Sequence, residues 1–269
     1  HRRYYQCDNN ELQQPKELDP MMTTTTTTTA PTETIDAGSL PATVRWGRAL
    51  RALSRVLRNP EETDQVLIFT TYANAGTNND RIDNFFNDPV GHRLFDEHRA
   101  LDSHTIDLDA LYALPSGTLG HAYASFMKRH GLTPNVFDGP PEDIADEHRS
   151  YVIQRMRQTH DLWHVVTNAE TDPAGEVALQ AFYYAHIGAP GSGILAALGM
   201  LKTVRHDRRI LRDVAEMIGR GRNAKALPMF AWEDHWTTPL TEVRRLLNLP
   251  ENPRSIGGYT TGAFQSAAA

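Results

Sequence analysis

The run His160-Asp161-Leu162-Trp163-His164-Val165-Val166-Thr167-Asn168-Ala169-Glu170-Thr171-Asp172-Pro173-Ala174-Gly175-Glu176 decides how the chain folds. On a helix, residues four apart sit about 6 Å along the axis on one face, so His160 and His164 can offer both imidazoles to one ion. The stretch from Asn168 to Asp172 reads as the turn of an αα-hairpin centred near Glu170, with Asp172 capping the second helix and Pro173 in its first position. Antiparallel helices pair residues equidistant from their turn. The hairpin therefore sets His164 against Glu176, and His160 against Gln180. Asp161 lies about 100° round the helix from His160, as a direct ligand or as a carboxylate that orients an imidazole from behind. A bare His-x-x-x-His pair is more often two surface histidines; Asp161 and the mirrored Glu176 lift this one above that reading. Mixed imidazole and carboxylate donors suit Zn2+, Fe2+ or Mn2+ better than calcium or a magnesium-only cage. Zn2+ is the first choice, in a site left open to water or substrate.

Outward from the hairpin the period stays helical. Trp46, Ala49, Leu50, Leu53 and Leu57 form one stripe, with Arg45, Arg48, Arg51, Arg55 and Arg58 on the other face. Residues 65–72 are a short apolar run read as helix. Helices follow over 80–87, over 89–98 with Pro89 in the first turn, and over 107–113 with Asp107 as cap. Residues 116–130 carry Leu119, Tyr123, Phe126 and Met127 on one side and stop at Gly131. A single long helix is expected over 142–168, then helices over 173–187, 192–204, 207–219 and 239–249. The 192–204 segment is apolar nearly all round, so it is buried or lines an apolar cavity. Arg157, three residues before His160, shares the histidine stripe; it is a bidentate clamp for a carboxylate or phosphate, or a surface arginine paired with Asp161. The fold class is all-α, one multi-helix domain over 40–250.

Residues 1–39 hold an unbroken threonine run, Thr23 to Thr29, among prolines, and too few apolar side chains to offset ordering. They read as a disordered tail in which Met21 or Met22 is a natural start, and residues 251–269 read as a flexible C-terminal tail. The net charge of −6 and the scarcity of lysine give no nucleic-acid surface. No apolar run approaches the ~20 residues of a membrane span. The lone cysteine, Cys7, excludes an intramolecular disulfide and a thiolate metal site. With no signal-like apolar segment, and four acids among residues 8–19, a cytoplasmic protein is expected.

His160, Asp161, His164 and Glu176 together form HDxxH-x11-E, and this motif resembles the hallmark of the coenzyme Q (ubiquinone) biosynthesis protein four family. Further matches are Leu114-Pro115-Ser116-Gly117-Thr118-Leu119-Gly120 with Tyr123 and Phe126-Met127, then Tyr151-Val152-Ile153-Gln154-Arg155 with Arg157. Gly175-Glu176-Val177-Ala178-Leu179 and Trp232-Glu233 fit as well, so the resemblance spans about 45–249. Met156 departs from the family's usual tyrosine between the two arginines. A bacterial homologue or paralogue is expected. The resemblance implies an all-helical fold, a divalent ion on those four positions and an apolar groove for polyprenyl chains. It also implies decarboxylation, in some members oxidative, at the carboxyl-bearing carbon of a polyprenylated hydroxybenzoate. Asp161 and Arg157 become the candidate catalytic residues, with Arg157 orienting the carboxylate.

The implied partners are the prenylated aromatic lipid, other quinone-biosynthesis proteins and a membrane surface: the inner membrane of a bacterium, or its matrix side in a mitochondrion. A homo-oligomer is expected. The alternative is a non-catalytic prenyl-lipid scaffold for a quinone-biosynthesis complex. A zinc peptidase is disfavoured, because Asp161 is one methylene shorter than the glutamate of HExxH and Glu176 follows too soon.

Overall fold

Helix starts and stops fall where local chemistry puts them. The computed structural model describes residues 36–59, 63–139, 141 and 143–259. They form α1 (Ala42–Arg58), α2 (Thr63–Asn74), α3 (Asn78–Asn87), α4 (Pro89–Asp96), α5 (Leu108–Tyr112), α6 (Leu119–His130), α7 (Glu147–Gln158), α8 (His160–Thr167), α9 (Pro173–Ile187), α10 (Pro190–Thr203), α11 (Arg209–Asn223) and α12 (Leu240–Leu246). No extended strand occurs among the described residues; isolated bridges pair Thr118 with Pro239 and Ala169 with Ile256. The fold is all-α, as expected. Asp88, Asp107, Thr118, Asp146 and Asp172 each cap a following helix through a side-chain oxygen. Gly131 and Gly188, both at φ 64°, and Asn168, at φ 54°, end α6, α9 and α8 in the left-handed region.

The single helix expected over 142–168 is not formed. Residues 143–146 are non-helical, and the rest divides at Thr159, whose φ of −90° and ψ of −1° separate α7 from α8. The Thr159 hydroxyl bonds back to the Met156 carbonyl at 3.5 Å, a side-chain competition that bends helices. His160 thereby opens a short helix of its own.

At the centre, α9 packs against α10 and α11, and α8 rests on α6 and α12. The main core joins Tyr123 and Met127 of α6, Leu162 and Trp163 of α8, Phe182 of α9, Met217 of α11 and Trp232. The α9–α11 approach is close enough that a Cβ at Gly221 would stand 2.7 Å from the Phe182 carbonyl. A second cluster joins α1, α2 and α10.

Three expectations need correction. The α1 stripe divides: Ala49 and Leu53 are buried, whereas Trp46, Leu50 and Leu57 are 38%, 57% and 58% exposed. The core partner of α1 is α2, which covers only one edge of the apolar face. Next, α10 is not buried all round; Leu201 is 58% exposed. Last, residues 251–259 are not a loose tail, because Ile256 is fully buried and its backbone bonds both Asn168 and Glu170. A non-helical segment leaves no period to read. Residues 260–269, 1–35 and the proposed starts at Met21 and Met22 lie outside the described residues.

The last turn of α8 is buried, so its carbonyls cannot turn to water. The His164 carbonyl accepts from Ala169 N at 3.0 Å. Arg244 donates to the Val165 and Val166 carbonyls at 3.0 and 2.9 Å, and Arg220 to the Thr167 carbonyl at 2.5 Å. Both guanidiniums also meet the negative end of the helix dipole. Burial, then the charge of Arg220, lower Arg244 to about 10, which leaves it charged at neutral pH. Arg244→Met nearly keeps the volume, orphans the buried Val166 carbonyl and leaves the Val165 carbonyl only the 3.4 Å bond from Asn168 N. It should cost about 2–5 kcal/mol, read as a lower urea midpoint; an unchanged midpoint would show that these bonds do not hold α8.

Candidate metal centre

The hairpin delivers three side chains to one point. His160 and His164 from α8 face each other with Nε2 atoms 3.2 Å apart. Glu176 from α9 places Oε1 3.2 Å from His164 Nε2 and Oε2 3.8 Å from His160 Nε2. The first turn of α9 packs so tightly on the hairpin turn that a Cβ at Gly175 would lie 2.0 Å from the Glu170 carbonyl. Glycine at this position is what lets Glu176 come in beside His164.

Each imidazole is held from behind. His164 Nδ1 lies 3.1 Å from the Ala169 carbonyl. A carbonyl only accepts, so Nδ1 carries the proton and the Nε2 lone pair faces the site. His160 Nδ1 lies 3.2 Å from the Tyr183 hydroxyl. The Tyr183 ring is pinned by stacking on Trp163, centroids 4.1 Å apart at 21°. Phe126 of α6 covers the His164 ring at 5.6 Å. His164 is buried, while 27% of the His160 side chain and 40% of Glu176 remain accessible.

Burial pushes His160 below the usual histidine range, and the neighbouring His164 charge pushes it further. Burial works against the charged form of His164 too, but the Glu176 carboxylate outweighs it and holds His164 above its usual range. Glu176 in turn is held down by the two imidazoles against burial. The Tyr183 hydroxyl is raised by burial and by the charges of Asp161 and Glu176.

These donors fit a divalent ion. Metal–nitrogen bonds of about 2.0–2.1 Å set adjacent ligand atoms roughly 3.0–3.4 Å apart, and the observed separations are 3.2, 3.2 and 3.8 Å. Two imidazole Nε2 atoms and a carboxylate converging in a partly dry pocket are also a donor set that a cation would balance. Among the described residues, this is the group of histidine and acidic side chains close enough to hold an ion. A three-ligand set leaves further positions for water or substrate.

Of the four motif positions, the structure brings together His160, His164 and Glu176. Asp161 stands beside the trio, half-buried, its charge reaching Tyr123, Tyr183, His160 and His164. Arg157 donates to Thr71 Oγ1 at 3.3 Å and lines a cavity of about 70 Å³ with Thr71, Tyr72 and Asp143. None of the trio lines that cavity. The partner bonded to His160 is Tyr183. Gln180, expected there, keeps a buried Oε1 with no hydrogen-bond partner, one turn along α9 from Glu176. Tyr183 was legible in principle, because two turns of helix return it to the Glu176 face. His130 was not: the fold alone brings its Nδ1 to 2.9 Å from Thr171 Oγ1 and its ring to 4.7 Å from Phe126.

The family model described as Coenzyme Q (ubiquinone) biosynthesis protein Coq4 matches residues 40–253. The mitochondrial ubiquinone biosynthesis protein COQ4 homolog of Rattus norvegicus is 29% identical over 212 residues, covering 78% of this chain and 80% of that protein. Its Danio rerio counterpart is 31% identical over 202 residues, covering 74% of each. The mitochondrial ubiquinone biosynthesis protein COQ4 of Coprinopsis cinerea is 29% identical over 169 residues, 62% of this chain. The chain spans just over half the length of such fungal relatives, 58% for Coprinopsis cinerea and 52% for Clavispora lusitaniae. A crystal structure of a Nostoc punctiforme protein assigned to ubiquinone biosynthesis superposes with a TM-score of 0.61 at 27% identity, covering 75% of this chain and 97% of that one. The matched region contains the whole hairpin with its trio, and the chain belongs to the Coq4 family of coenzyme Q (ubiquinone) biosynthesis proteins.

Proposed function

We propose that the chain is a metal-dependent decarboxylase, acting at the carboxyl-bearing ring carbon of a polyprenylated hydroxybenzoate during ubiquinone assembly. One observation carries this reading: in a chain of this family, two imidazoles and a carboxylate converge within 4.8 Å of one another on one hairpin. His160, His164 and Glu176 would hold Zn2+, or Fe2+ or Mn2+ in its place, with Asp161 as the neighbouring carboxylate. Such an ion, when bound, would supply a Lewis acid at the phenolic oxygen that draws charge from the ring as the bond to the carboxyl carbon breaks, its electron pair staying on the ring carbon, which takes a proton from solvent as CO2 leaves.

The chain's own groups do the rest. The Ala169 carbonyl and the Tyr183 hydroxyl keep the Nε2 atoms turned inward, Phe126 covers the His164 ring, and Trp163 backs the Tyr183 ring. Arg157, held by Thr71 at rest, is the cation that receives a substrate carboxylate. The half-buried apolar residues Ile194, Leu195 and Leu198 of α10 are the wall for the prenyl chain.

The exposed face of α1 favours a second, compatible reading, a prenyl-lipid scaffold at a membrane surface with other quinone-biosynthesis proteins. Five arginines and no acid share α1 with exposed Trp46, Leu50 and Leu57, the pattern of a helix lying in an anionic interface. No helix among the described residues is long and apolar enough to cross a membrane.

Purified protein given a prenylated 4-hydroxybenzoate should release CO2 in proportion to bound metal, and His164→Ala should abolish release while the helical circular dichroism persists. Release unaffected by His164→Ala would exclude the metal reading. Tyr183→Phe removes one hydroxyl and keeps the stack on Trp163. Loss of such an outer partner weakens metal binding about 10–100-fold, and a competition titration measures the change directly. On vesicles with phosphatidylserine, Trp46→Glu combined with Leu50→Glu should abolish co-sedimentation and leave metal content intact. Undiminished co-sedimentation would take α1 out of the scaffold reading.

A further inference from the structure

The segment from Pro253 to Tyr259 lies across the turn of the metal-bearing hairpin and grips both of its arms. On the α8 side, Ile256 N donates to the Asn168 carbonyl and Glu170 N to the Ile256 carbonyl, both at 2.9 Å. Asn168 Nδ2 adds a bond to the Pro253 carbonyl at 3.0 Å. On the α9 side, the Asp172 carboxylate accepts from Gly258 N at 2.8 Å and Tyr259 N at 3.2 Å, while still capping Gly175 N. Asp172 is four residues from Glu176, and Asn168 four from His164. The segment thus ties together, one turn away, the two ligands that face each other.

Its own anchorage is buried and charged. Asp213 of α11, 2% exposed, accepts from Arg254 Nη2 at 2.7 Å, Gly257 N at 3.1 Å and the Tyr259 hydroxyl at 2.9 Å. Gly257 has φ 82°, and a Cβ there would stand 2.4 Å from Asp172 Oδ1. This is far more bonding than a segment without regular structure needs merely to be covered. It fixes the turn in register against α11, a helix that carries none of the metal ligands.

We infer that residues 253–259 are a clasp whose positioning residues, Ile256, Gly257, Gly258 and Tyr259, set the His164–Glu176 separation and thereby the affinity of the site. The inference rests on the metal reading of the trio. Because coupling between two binding events is reciprocal, an ion bound at the trio must tighten the clasp by the factor with which the clasp tightens the ion.

Hydrogen exchange on the full chain tests this with Zn2+ as the probe. Saturating Zn2+ should slow exchange at Ile256, Gly257, Gly258 and Tyr259 at least tenfold more than at the amides of α4, which lies outside the hairpin. Gly257→Ala, which drives the segment off Asp172, should raise the Zn2+ Kd at least tenfold at a temperature where circular dichroism shows it folded. Should that variant not fold, exchange on the unaltered chain decides alone. If Zn2+ binds and the four amides slow no more than α4, the clasp inference falls and the metal reading stands. If the unaltered chain takes up no Zn2+, both fall together.

Discussion

The buried last turn of α8 is the constraint on which the rest of this structure depends. A helix end exposes carbonyls that must find donors, and here water is excluded from them. The solution brings in remote chain: Arg244 from α12, Arg220 from α11, and through the Arg244 bond to the Glu251 carbonyl the segment that follows α12. Satisfying α8 therefore requires α11, α12 and the C-terminal segment to be in place with it. Only then is His164 rigid, since the Ala169 carbonyl that orients it belongs to the same turn. The ligand geometry comes out of ordinary backbone bookkeeping.

Much of this was legible in the sequence because punctuation residues act locally. Asp107 and Asp172 as caps, Pro89 and Pro173 in first turns, and Gly131 and Gly188 as stops each need only a neighbour or two to express their preference. The pairing of His164 with Glu176 follows from the same local logic, since a short turn between antiparallel helices fixes the register. What escaped is what depends on distant chain. The break at Thr159 is a local change of backbone angles that helical periodicity does not encode. The division of the α1 stripe depends on how much of it α2 covers. The packing of 251–259 depends on unpaired backbone groups at Asn168 and Glu170, invisible until the hairpin exists.

Arg157 shows the same limit from the functional side. Stripe counting places it above the histidines, but α7 ends at Gln158 and α8 starts anew at His160. Its guanidinium meets Thr71 on α2, in a cavity with Tyr72 and Asp143. Tyr72 is itself clamped between Arg48 and Asp143, with its hydroxyl bonded to both at 2.5 Å. A substrate carboxylate reaching Arg157 would compete with these internal partners. The cavity of about 70 Å³ is small for a ring, and α2, which forms one wall of it, is packed against α1.

The way the trio is supported bears on what an ion held there would be for. Where a metal supplies the folding energy of a small domain, the ligands come from segments with little else to hold them. Here every ligand-bearing turn has independent support: the Trp163–Tyr183 stack, the close approach at Gly175, the Asp172 cap and the arginines behind α8. An ion bound there would have little left to order beyond the 253–259 segment. With His160 and Glu176 partly accessible, an ion held there would stand open to an exogenous ligand. Structural zinc sites are closed on all sides, and this one opens on the side of His160 and Glu176. That asymmetry, more than the presence of two histidines, supports chemistry over bracing.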